Sequence, residues 1–101
     1  MPNLAKRFIR LTVPADSSTG TDLTVEVIDN ELRINDETAG YLQTSDLGFR
    51  LIRNGHIFAV AFMESDGALA YLNGSYEIQR EVKGEPTTAV FAALAQIVAL
   101  V

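Results

Sequence analysis

The chain has 101 residues, 48% of them hydrophobic and 21% charged, with a formal net charge of -5, no Cys, no Trp and one His. That length and composition suit one globular domain, residues 1–101, with its own core, and exclude intrinsic disorder. The lack of Cys excludes disulfides, thiolate metal sites and a Cys nucleophile, and the acidic balance argues against nucleic acid or an anionic membrane as a general partner.

The N-terminus is basic, and Arg10 interrupts the apolar pattern directly after Phe8 and Ile9. A secretory signal needs an uninterrupted apolar run of about 7–15 residues, so none is expected here. Lys6 to Val13 reads as a strand ended by Pro14. The segment from Pro14 to Thr21 is rich in turn formers and reads as an exposed loop. Asp29-Asn30 then suits a hairpin turn, because both residues tolerate the left-handed region. With that loop, Val27 faces Leu32 and Val25 faces Ile34 on a dry side, while Glu26 faces Arg33 on a wet side. Tyr41 to Thr44 reads as a further short strand.

Three hairpin signals follow: Asn54-Gly55, Asp66-Gly67 and Asn73-Gly74. Taken as two-residue loops, they align Leu47, Phe49, Leu51, Phe58, Val60, Phe62, Leu69, Tyr71, Tyr76 and Ile78 on one face. Ile52, Ile57, Ala59 and Ala61 fall on the other. The first face is the expected core surface, and a one-residue slip at any turn would scatter it.

After Gly84-Glu85-Pro86 the pattern becomes helical. Thr87 or Thr88 is the expected cap, with Pro86 able to occupy the first helical position. Val90, Phe91, Leu94, Ile97, Val98, Leu100 and Val101 form the large face, expected to pack on the sheet. The other half consists of Ala89, Ala92, Ala93, Ala95, Gln96 and Ala99, with no charge anywhere from Ala89 to Val101. A solvated helix face normally carries Lys or Glu, so this small-residue face is expected to meet another subunit. The apolar pattern reaches Val101, whose free carboxylate would oppose the helix dipole, so a contact is expected there too. The run from Ala89 to Val101 is shorter than the ~20 residues that span a bilayer, and a cytoplasmic chain without a membrane segment is expected.

The expected fold is mainly β: an antiparallel meander of seven or eight short strands, closed as a small barrel or folded as a sandwich, with one C-terminal helix. Seven strands followed by a helix resembles the pleckstrin-homology-like architecture in element order alone. That family's basic lipid-binding hairpin is not matched, because the loop after the basic strand is acidic and rich in Ser and Thr.

Charge is segregated along the chain. Lys6, Arg7 and Arg10 give the first strand a net +3, whereas Asp16 to Asp46 holds eight acids against Arg33 alone. Such a contrast could dock neighbouring copies head to tail. Chemistry is sparse. His56 is the sole imidazole and flanks a turn, zinc ligands are lacking, and Asp29, Glu31, Asp36 and Glu37 do not have calcium-loop spacing. No catalytic, cofactor or metal residues are expected. The expected function is a non-enzymatic structural subunit that self-associates or decorates a larger assembly, such as a phage or virus particle. Its expected interface residues are Ala89, Ala92, Ala93, Gln96, Leu100, Val101, Lys6, Arg7 and Arg10. Two alternatives are a small acidic inhibitor or immunity-type protein that binds a basic partner, and a small-ligand-binding barrel.

Overall fold

A computed structural model describes residues 8–14, 22–46 and 48–101. It contains β1 (Phe8–Pro14), β2 (Asp22–Ile28), β3 (Glu31–Ile34), β4 (Glu37–Ser45), β5 (Gly48–Arg53), β6 (His56–Glu64), β7 (Gly67–Leu72), β8 (Ser75–Lys83) and α1 (Pro86–Leu100). The strands form one antiparallel sheet in chain order, curled into a half-barrel. This is the meander expected from the turns. The end strands β1 and β8 are not paired with each other. α1 lies mainly against β6, β7 and β8, and more lightly on β1, β2 and β5.

The β2–β3 hairpin has the register read from its sequence: Val25 opposite Ile34, Glu26 opposite Arg33 and Val27 opposite Leu32. Asp29 enters the left-handed region with φ 56° and allows the tight reversal. A second turn of this kind, at Asn35-Asp36 with φ 52° and 69°, joins β3 to β4 and was not expected. Two consecutive positive φ values match the twist of the flanking strands, which is why Asn and Asp serve there. Asn54-Gly55 is likewise such a turn, with φ 51° and 78°.

Beyond Asn54-Gly55 the structure departs from the expected pairing. Arg53 faces His56 and Ile52 faces Ile57, but an irregularity then shifts β6 by one residue, so Leu51 opposes Ala59 rather than Phe58. The next turn is centred on Ser65-Asp66, with Glu64 opposite Gly67 and Phe62 opposite Leu69 rather than Tyr71. Gly67 lies within β7, where an added Cβ would stand 2.1 Å from the Val82 carbonyl oxygen. That glycine permits close strand approach instead of supplying a positive φ. After Asn73-Gly74, Leu72 faces Ser75 as expected, but a larger shift in β8 then brings Tyr71 opposite Gln79.

A one-residue slip exchanges the faces of a strand, and the expected core surface is split accordingly. Leu51 is buried inside and Phe49 packs inward, whereas Val60, Phe62, Leu69 and Tyr71 lie on the convex side. Leu47 lies outside the described residues. The inner wall at β6 and β7 is instead Ala59, Ala61, Ala68 and Ala70, all fully buried. These small side chains leave room for α1, which contributes fully buried Val90, Leu94 and Ile97 and nearly buried Phe91. At about 1.5–3 kcal/mol each, those four contribute about 6–12 kcal/mol as an upper bound. From the other half of the sheet come Val13, Leu23, Val25, Val27, Leu32 and Ile34. No polar or charged side chain is buried among the described residues.

The helix starts at Pro86, two residues earlier than a Thr87 cap would place it. Glu85 is the cap: its carboxylate accepts from the Thr87 backbone N–H at 2.8 Å and from the Thr87 hydroxyl at 2.7 Å. Pro86 follows in the first turn, where a missing N–H costs no helical bond.

Candidate interaction surface

The two halves of the convex face differ in chemistry. Over β1 to β4 it is mainly polar, with Ile28 and Tyr41 as apolar exceptions. Arg10 lies 3.8 Å from Glu26, Arg33 lies 3.9 Å from Glu31, and the Arg33 guanidinium donates to the Asp36 carbonyl at 2.8 Å. The Thr38 hydroxyl donates to Glu31. This is the usual arrangement of an antiparallel sheet with one wet side.

Over β5 to β8 the same side is apolar at its centre. One transverse row runs Gln43, Arg50, Val60, Tyr71, Gln79 from β4 to β8. The adjacent row runs Gly48, Phe62, Leu69, Glu81 from β5 to β8. Phe62 and Tyr71 have ring centroids 5.7 Å apart, and Tyr71 and Tyr76 4.9 Å apart, both tilted. Such pairs contribute about 0.5–1.5 kcal/mol beyond area burial. Val60, Phe62, Leu69 and Tyr71 are half-buried by one another, and Tyr76 remains 73% exposed. No described element lies over this patch, because α1 occupies the concave side.

Charges stand at the patch borders. On the β5 side the Arg50 guanidinium donates to the Gln43 side-chain oxygen at 3.1 Å and has no ion pair among the described residues. On the β8 side Lys83 lies 3.1 Å from Glu81 and 3.3 Å from Asp66. The Lys83 ammonium is held above its ordinary pKa, first by its hydrogen bond to Glu81 and then by that to Asp66. The Glu85 carboxyl is held below its ordinary pKa by the Thr87 backbone N–H and then the Thr87 hydroxyl.

The residues expected at an interface are scattered by the fold. Ala89, Ala92 and Ala93 are buried by the chain's own elements, with exposures of 4%, 6% and 0%. The expected partner over them is replaced by the sheet, whose curl covers most of the helix circumference. Gln96 is half-buried, while Leu100 and Val101 remain exposed at the helix end. Arg10 is exposed on β1 and paired with Glu26. Lys6 and Arg7 lie outside the described residues. Sequence reasoning placed Val60, Phe62, Leu69 and Tyr71 in the core and so missed the convex patch. The available signal was the period-two run of alanines in β6 and β7, matched by an Ala-rich helix.

Other chemistry is not assembled. Among the described residues no three His, Asp or Glu side chains come together as a metal site, including Asp29, Glu31, Asp36 and Glu37. His56 stands exposed beside its turn, and Arg53 opposite it stacks over Phe58 at 4.6 Å. A cleft of about 390 Å³ lined by Ile9, Phe49, Met63, Thr87 and Phe91 opens at the N-terminal end of α1. Among the described residues, no helix is long and apolar enough to cross a membrane. Compared with protein-family models, curated proteins and solved structures, the chain matches none.

Proposed function

We propose that this chain is a non-enzymatic interaction subunit that self-associates through the convex face of β5 to β8, alone or as part of a larger assembly. One observation carries the reading: Val60, Phe62, Leu69, Tyr71 and Tyr76 form a contiguous apolar patch on the side of the sheet away from α1. An antiparallel sheet with one solvated side alternates apolar inward and polar outward. β1 to β4 follow that rule except at Ile28 and Tyr41, and β6 to β7 break it. Contiguous outward apolar patches mark interaction surfaces, and Tyr and Phe are enriched in interface cores. Sedimentation velocity over a concentration series tests the proposal. The native chain is expected to associate with rising concentration. Tyr71→Asp is expected to stay monomeric while its circular dichroism and melting remain native. A native chain that is monomeric at every concentration overturns the proposal.

A further inference from the structure

We infer that the convex patch receives a second copy of this chain about a two-fold axis running along the strands, between β6 and β7. The inference rests on the self-association proposed above and adds the geometry of the pair. In an isologous contact, each residue of one copy that meets a residue of the other is met by it in return. Face-to-face sheets allow two simple placements of the axis. An axis along the strands lays β6 of one copy over β7 of the other and β5 over β8. An axis across the strands lays each strand over its own counterpart.

The side chains distinguish these placements. Along the strands, each transverse row keeps its height. Val60 of each copy then meets Tyr71 of the other, and Phe62 meets Leu69, so an aromatic ring always opposes an aliphatic side chain. At the border, Arg50 of each copy comes over β8 of the other, next to Gln79 and one row from Glu81. Arg50 brings a cation without a carboxylate partner among the described residues. The Asp66, Glu81 and Lys83 cluster it meets keeps one negative charge in excess. Across the strands, Arg50 would instead face the Arg50 border and Glu81 the Glu81 border, and like charges opposed at an interface select against that arrangement.

Because the chain has no Cys, engineered thiols report the axis directly. Val60→Cys and Tyr71→Cys variants are mixed, at concentrations where the native chain associates, and treated with a short thiol–thiol cross-linker. The expected product is the mixed pair, well above either homodimer. A Val60→Cys homodimer that forms faster than the mixed pair overturns the axis while leaving self-association intact. Arg50→Glu or Glu81→Arg alone is expected to raise the dissociation constant about fivefold, and the two together to return it near the native value. A dimer indifferent to both reversals likewise overturns this geometry alone. A native chain monomeric from about 1 µM to about 1 mM overturns self-association itself.

Discussion

The first and last four strands use one backbone pattern to opposite ends. In β2 and β3 the inward residues are large, Leu23, Val25, Val27, Leu32 and Ile34, and the outward ones include Glu26, Glu31 and Arg33. In β6 and β7 the inward residues are Ala59, Ala61, Ala68 and Ala70, and the outward ones are Val60, Phe62, Leu69 and Tyr71. The difference follows where α1 lies. The helix rests mainly on β6 to β8, and small residues let it seat there, while the opposite wall fills the remaining space with branched side chains. Size, rather than polarity, therefore tells inside from outside in β6 and β7.

The largest expected way to break this arrangement is Phe91→Ala. The ring is buried and stacks on Phe49 with centroids 5.0 Å apart, and its loss is expected to cost about 3–5 kcal/mol in urea unfolding. Next, Ala70→Leu places a large side chain on the inner wall of β7, where it is expected to cost about 1–3 kcal/mol by overpacking under α1. If Ala70→Leu is neutral, the inner wall has spare room and the size rule fails. Outside, a change of polarity at constant bulk should be mild: Val60→Thr is expected to shift stability by no more than about 0.5 kcal/mol, measured below the concentration at which the chain associates. The smallest effect lies at the helix cap. Folding holds the Glu85 carboxyl below its ordinary pKa, so its ionised form stabilises the fold above the unfolded pKa. That contribution fades as pH falls through the folded value. The difference in denaturant midpoint between native and Glu85→Ala protein is thus expected to be present at neutral pH and to shrink toward acid.

How much was legible in the residues follows the same division. Asp29-Asn30 fixed the β2–β3 register because no irregularity intervenes before Val25 and Ile34. The element order, the meander and the helix followed from turn residues and period. The face assignment from β6 onward was lost to a one-residue irregularity between Leu51 and Ile52, which residue type does not announce. The Asn35-Asp36 turn is not legible in the residues, because no glycine marks it and Asp36 reads as one of an acidic group with Asp29, Glu31 and Glu37. Glu85 is not an expected cap, because Ser, Thr, Asp and Asn are the usual choices. The helix alanines read as a surface for another subunit because that face carries no charge, whereas the structure covers them with the sheet. Correcting the face moves the candidate site from the helix to the sheet.

The meander also sets a schedule. Every strand pairs with its neighbour in the chain, so the sheet can be built in order as residues emerge during synthesis. Its concave wall gains its cover only with Pro86–Leu100, after all eight strands. At about 5–20 residues per second, those fifteen residues take about one to three seconds to add. Over that interval Phe49, Ala61 and Ala70 have no helix to cover them. A nascent chain stalled ahead of Pro86 is then the form that most needs a chaperone.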